Sequence, residues 1–173
     1  GEGGTINLDS NLVGIATSKE ITYISAGNSD IYTVTLEPFS DGTTAGVGEI
    51  IKVKKLQTAY GQGAVSHEAF VKAKNGILYL SQEPTIDFLG NVEQIAGQNV
   101  KPLSDPIKRF INQIDRTDAQ GLYFQNYILF LFPLASCLLM YDLERGFWQP
   151  PQLIDANSMC IYQGKVLIHS SSK

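Results

Sequence analysis

The sequence predicts an all-β chain, from three observations. Apolar and polar residues alternate with a period of two along most of its length. Turn-forming residues (16 glycines and several Asn, Asp and Pro) separate these runs at short intervals. The composition agrees: aromatics make up 10% and charged residues only 17%, which excludes a disordered chain, and Ala, Glu, Lys and Leu do not dominate as in a long helical bundle.

The first strands are read at Leu12 to Thr17, Ile21 to Ser25 and Ile31 to Glu37, with turns at Lys19-Glu20 and Gly27-Asn28-Ser29-Asp30. Nearly every residue of Ile31 to Leu36 favours extended backbone. Pro38 to Gly48 reads as a loop, and Glu49 to Leu56 alternates apolar residues with Lys52, Lys54 and Lys55, as on a strand with one solvated face. After Gly61-Gln62-Gly63, Ser66 to Lys72 is read as a strand. Asn75-Gly76 is a two-residue hairpin turn, Ile77 to Ser81 a central strand, and Thr85 to Leu89 a third strand beyond Glu83-Pro84, before a turn at Gly90-Asn91.

One helix is predicted, from 105 to 114. Ser104-Asp105-Pro106 is a start signal, in which a short side-chain oxygen accepts from free backbone N–H groups. Ile107, Phe110, Ile111 and Ile114 then share one helical face.

The next group is the most apolar. Gly121 to Phe124, a turn at Gln125-Asn126, the doubly buried strand Tyr127 to Phe132, Cys137 to Asp142 and Phe147-Trp148 follow one another until Pro150-Pro151. A last group pairs Ser158 to Tyr162 with Val166 to His169 across Gln163-Gly164-Lys165, and is unfinished at the chain end. Tyr127 to Leu134 is too short to cross a bilayer, so no membrane partner is expected.

These groups repeat one layout: apolar strand, polar turn, apolar strand. Their turns at Asn75-Gly76, Gln125-Asn126 and Gln163-Gly164 lie roughly 40 to 50 residues apart, a blade spacing. One small twisted sheet cannot bury both of its faces, so such sheets stack around an axis. The prediction is a partial β-propeller over 1–173, roughly three and a half to four blades, with the helix inserted. A sandwich or barrel of antiparallel hairpins stays open. Gly1-Glu2-Gly3-Gly4 lacks an initiator Met, which reads as a chain cut from something longer whose ring closes elsewhere.

Little in the sequence points to catalysis. His67 stands between Ser66 and Glu68, but neighbours on a strand point to opposite faces, so they cannot converge as a triad. No GxSxG, CxxC or HExxH occurs, and neither glycine-rich stretch runs into Lys-Ser/Thr. Asp87, Asp115, Asp118, Asp142 and Glu144 are the carboxylates weighed for glycoside hydrolysis, and most sit in turns with local explanations. No catalytic, cofactor or metal residue is therefore assigned. Cys137 and Cys160 both lie in apolar runs and are expected as buried free thiols, with a disulfide between neighbouring strands left open. A net charge of −4 carries no basic footprint for nucleic acid; at most DNA would pass along an acidic surface without sticking. Ile107, Phe110 and Trp148 are the candidate partner-contact or packing residues.

Taken in order, Asn11 to Ile15, Glu20 to Ser25, Asp30 to Val34, Gly63 to Val71, Asn75 to Ser81, Pro102 to Ile107 and Leu138 to Trp148 resemble the β-propeller structural proteins of tailed bacteriophages, found at the head-to-tail junction and tail tube. The resemblance spans about residues 11 to 169. It implies a virion component without catalytic activity or cofactor, built into rings with other virion structural proteins or further copies. Its location would be the virion, and the host cytoplasm during assembly. Such proteins are much longer than this chain. Tyr141-Asp142 with Trp148 also resembles the last two strands of a kelch-type blade, which implies that Asp142 helps the turn and Trp148 packs between blades. The competing expectation is a carbohydrate-binding or glycoside-hydrolysing propeller, which needs exposed aromatics beside carboxylates at one mouth. Tyr23, Tyr32, Tyr60 and Tyr79 instead alternate into strand cores.

Overall fold

A computed structural model describes residues 8, 10–18, 20–27, 30–40, 47–56, 63–74, 76–83, 85–89 and 102–170. The turn residues Lys19, Asn28, Ser29, Asn75, Pro84, Gly90 and Asn91 lie outside the described residues, as do Gly1 to Gly4, the loop centre at 41–46, and Tyr60, Gly61 and Gln62.

The described residues are all-β apart from short helical turns. Four antiparallel sheets follow one another, each built from strands consecutive in sequence. Sheet 1 is β1 (Leu12–Ser18), β2 (Ile21–Ala26), β3 (Asp30–Ser40) and β4 (Val47–Leu56). Sheet 2 is β5 (Phe70–Ala73), β6 (Gly76–Leu80) and β7 (Ile86–Leu89). Sheet 3 is β8 (Gln120–Phe124), β9 (Tyr127–Phe132), β10 (Cys137–Asp142) and β11 (Phe147–Trp148), with β12 (Gln152–Leu153) also paired to β10. Sheet 4 is β13 (Ser158–Tyr162) and β14 (Lys165–His169). Among the described residues the four sheets close into neither a ring nor a barrel.

The period-two alternation sorts side chains between successive sheets. In β6, Ile77 and Tyr79 point toward Tyr23 and Ile31 of sheet 1 and form one core with Leu89. Leu78 and Leu80 point the other way, into the largest core, with Ile128, Phe130, Phe132, Cys137 and Leu139 of sheet 3. Strand β9 splits likewise: Leu129 and Leu131 face Leu138, Ala156 and Met159. Central strands of sheets 2 and 3 are thus covered on both sides, which is why they read as unbroken apolar runs.

Several boundaries differ from expectation. Ser66 to Lys72 is not one strand. Ser66 Oγ accepts from the Ala69 N–H at 3.2 Å, which turns His67–Ala69 into a 3-10 helix before β5 begins. The helix expected over 105–114 is a 3-10 turn (Asp105–Ile107) followed by α1 (Lys108–Ile111). Ser104 does not cap it, because its Oγ accepts from the Ile86 N–H at 2.8 Å and ties the turn to sheet 2. Pro150-Pro151 does not end sheet 3; the prolines lack N–H groups and only interrupt its edge, which resumes as β12. Both cysteines are free, but only Cys137 is buried, in the core between sheets 2 and 3; Cys160, in the two-stranded last sheet, is exposed.

Candidate functional site

The first strand of each sheet lies beside that of another. Strand β5 packs next to β1 and β8, and β13 packs next to β8. Two glycines allow this close approach. A Cβ on Gly14 of β1 would stand 2.8 Å from Phe70 Cε2 and 3.0 Å from His67 Cα. One on Gly121 of β8 would collide with Val71 Cγ2 and stand 3.0 Å from Phe130 Cε1. Between these strands opens a cavity of about 560 Å³, lined by Ile15, Ala16 and Thr17, by His67, Glu68, Phe70 and Lys72, by Gln120 and Gly121, and by Ser158, Met159 and Cys160.

Hydrogen bonds hold the walls in register. The Ile15 N–H donates to His67 Nδ1 at 3.4 Å. Gln120 clips β8 to the last sheet: Nε2 donates to the Asn157 carbonyl at 3.1 Å and Oε1 accepts from the Met159 N–H at 3.2 Å. Ser66 Oγ donates to the Ala119 carbonyl at 2.9 Å, so it is committed to the backbone and not to His67. The ionisable lining is one carboxylate (Glu68), one ammonium (Lys72), one imidazole and the Cys160 thiol. A pair of facing carboxylates, as hydrolysis of a glycoside needs, is absent from the lining. Among the described residues no group of three or more His, Cys, Asp or Glu could hold a metal ion. With a carboxylate, an ammonium, an imidazole and a thiol in its walls, this arrangement can bind or position a polar ligand.

The three singled-out residues lie elsewhere. Ile107 and Phe110 are half-buried and pack, with Ile114 and the fully buried Ile111, against the core between sheets 2 and 3. Trp148 stands against Tyr141 with ring centroids 5.0 Å apart and an interplanar angle of 57°. Its indole Nε1–H donates to the Leu103 carbonyl at 2.9 Å, which joins the edge of sheet 3 to the segment that leaves sheet 2. All three pack inside the fold. Trp148, in β11, therefore also bridges that segment and β10, the strand that carries Tyr141.

Of the carboxylates, Asp142 builds a turn. Its Oδ1 accepts from the Glu144 and Arg145 N–H groups at 3.0 Å each, and Gly146 follows at φ +72°. The Asp115 carboxyl lies below the usual range, because the backbone N–H and side chain of Thr117 bond to it. Asp87 is different. It lies in β7 opposite Tyr79 and is buried, and burial pushes its carboxyl up from 3.8 to about 6, against the pull of a hydrogen bond from Thr85 and with the Glu83 charge adding to the rise. Sequence reasoning weighed Asp87, in the strand Thr85 to Leu89, only as one of five candidate carboxylates, and passed over Gln120. The signal for Asp87 was Thr85-x-Asp87, two polar residues on one face of an otherwise apolar strand. Gln120 carried no signal, since a glutamine next to a strand is ordinary.

No protein-family model matches the chain, and no curated protein matches it either.

Proposed function

We propose that this chain is part of a β-propeller that serves as a non-enzymatic structural component of a phage virion, in the tail or at the head-to-tail connector. One observation carries the reading: three antiparallel meanders and a last hairpin in chain order, with their first strands gathered around one cavity. Blades meet their neighbours in that way, innermost strand beside innermost strand. The phage assignment itself rests on the order of sequence segments.

Partner contacts fall on exposed apolar side chains of the first sheet and of the last two sheets. The last sheet exposes Ile161, Tyr162 and Leu167, and β12 exposes Leu153. Sheet 1 exposes Leu36, Ile51 and Val53. Exposed apolar side chains on these sheets suit coverage by neighbours, either other virion proteins or further copies in a ring. Tyr23, Tyr32 and Tyr79 are buried, so these three are not a sugar-stacking platform.

Negative-stain electron microscopy of the purified protein tests the reading, with a glycan array alongside. Rings without sugar binding are expected. Isolated particles that bind a glycan strongly and competitively would overturn it in favour of the carbohydrate-binding alternative.

A further inference from the structure

A short chain of buried oxygens lies where sheet 2 meets sheet 1. Ser81, Thr85 and Asp87 are 0%, 1% and 7% exposed. Ser81 Oγ stands 2.6 Å from the Glu83 carbonyl oxygen and 2.6 Å from Thr85 Oγ1, and Thr85 Oγ1 stands 3.0 Å from Asp87 Oδ2. Each of these contacts needs one proton between its two oxygens. The two hydroxyls carry one proton each, the carbonyl carries none, and an ionised carboxylate only accepts. With Asp87 ionised the chain is one proton short, and one pair of oxygens faces lone pair to lone pair. With a proton on Asp87 every contact is satisfied in one direction: Asp87 donates to Thr85, Thr85 to Ser81, and Ser81 to the Glu83 carbonyl.

We propose that Asp87 works as a neutral carboxylic acid that completes this chain, and that loss of its proton loosens the joint between the first two sheets.

The chain sits on that joint. Ser81 forms a β-bridge with Ala64, whose N–H donates to Ser25 Oγ of β2 at 2.9 Å. Gln82 reinforces it, its N–H donating to the Gly63 carbonyl at 2.9 Å and its Nε2 to the Ala64 carbonyl at 3.3 Å. Asp87 shares its sheet face with Tyr79, which packs against Tyr23 and Ile31 of sheet 1. Among the described residues the ionisable groups around Asp87 give no counter-charge to an anion: the Glu83 charge opposes ionisation, Tyr79 opposite it is a phenol, and Tyr23, packed against Tyr79, is a phenol held above its usual range by burial. Burial raises the Asp87 carboxyl from 3.8 to about 6 in the folded chain. An acid raised on folding binds its proton more tightly in the folded state. Its contribution is therefore fully present below about pH 4 and is lost as pH climbs through about 6.

The test pairs a titration with a variant. The carboxyl carbon of Asp87, followed by NMR in the wild-type protein, should titrate near pH 6. Urea unfolding of the wild type and Asp87→Asn, whose amide N–H replaces the acid O–H, should give equal unfolding constants below about pH 4. The wild-type constant should then rise roughly 10-fold per pH unit relative to the variant, to roughly 100-fold at pH 7. A carboxyl that titrates near 4, a ratio independent of pH, or a variant less stable than wild type at pH 7 would each overturn the proposal. If Asp87→Asn does not fold, amide exchange at Ser81 and Ala64 in the wild type decides. Protection that falls as pH passes 6, beyond the intrinsic rise in exchange, supports it, and constant protection overturns it.

Discussion

Two hairpins of this chain are written almost alike and end up in opposite surroundings. Tyr123-Phe124-Gln125-Asn126-Tyr127-Ile128 joins β8 to β9, and Ile161-Tyr162-Gln163-Gly164-Lys165-Val166 joins β13 to β14. Both turns begin with a glutamine in the left-handed region, Gln125 at φ +55° and Gln163 at φ +48°. Both flank the turn with β-branched and aromatic residues. Yet β9 runs into the interior with Ile128 to Phe132 buried, while β14 exposes Leu167 and Ile168. The local chemistry makes a hairpin in each case. What the hairpin buries depends on whether a sheet stands on each side, and sheet 4 has one neighbour where sheet 3 has two.

The largest expected difference between the hairpins lies in their cores. Phe130→Ala should cost about 3 to 5 kcal/mol in urea unfolding, because sheets 2 and 3 cannot collapse into the space it leaves. Leu167→Ala, at a side chain 47% exposed, should cost less than about 1 kcal/mol. Equal costs would break the comparison, since they would mean that β14 is covered in solution. A smaller contrast concerns polar tips. Trp148→Phe removes the indole donor from the Leu103 carbonyl and should cost about 1 to 2 kcal/mol, whereas Tyr162→Phe, on the exposed hairpin, should be neutral within about 0.5 kcal/mol. The smallest effect should be the same in both places. Gln125→Gly and Gln163→Gly relieve the Cβ strain of a left-handed residue and should each stabilise by about 0.5 kcal/mol after the extra chain entropy of glycine. A clear inequality between them would show that tertiary contacts hold one of the turns.

The acid in the middle of the molecule adds a third contrast. Asp142 and Asp87 are both buried carboxyl groups, Asp142 with Arg145 Nε 3.9 Å from its Oδ2. Asp142 accepts two backbone N–H groups of the following turn. Asp87 meets hydroxyls already engaged with other oxygens, which a protonated acid satisfies better. Two buried acids thus meet opposite hydrogen-bonding surroundings, free N–H donors at Asp142 and engaged hydroxyls at Asp87.

Much of this was legible in the residues. Tyr127 to Phe132 was readable as a doubly buried strand, because six apolar residues in a row leave no polar face to solvate. The turns at Gln125-Asn126 and Gln163-Gly164 were readable from their polarity. Ser66 was not: its hydroxyl folds the following residues into a 3-10 helix, and a strand pattern does not reveal where a serine spends its hydrogen bond. Ser104 misled in the same way, since a capping residue and a sheet-edge acceptor look alike in sequence. The cavity was illegible too, because Ile15, His67, Gln120 and Met159 are brought together from four sheets.

The sequence by itself determined the class and the order of the elements: extended backbone through β-branched and aromatic residues, turns at glycines and amides, and alternation that marks two faces on each strand. Those are local properties, set by sterics within a few residues. Only the tertiary structure decided which face meets which sheet, why Cys160 is exposed while Cys137 is not, and which polar groups share a proton chain. Each of those depends on groups distant in sequence coming within a few ångströms of one another, and burial and hydrogen bonding belong to the assembled neighbours, not to any one residue.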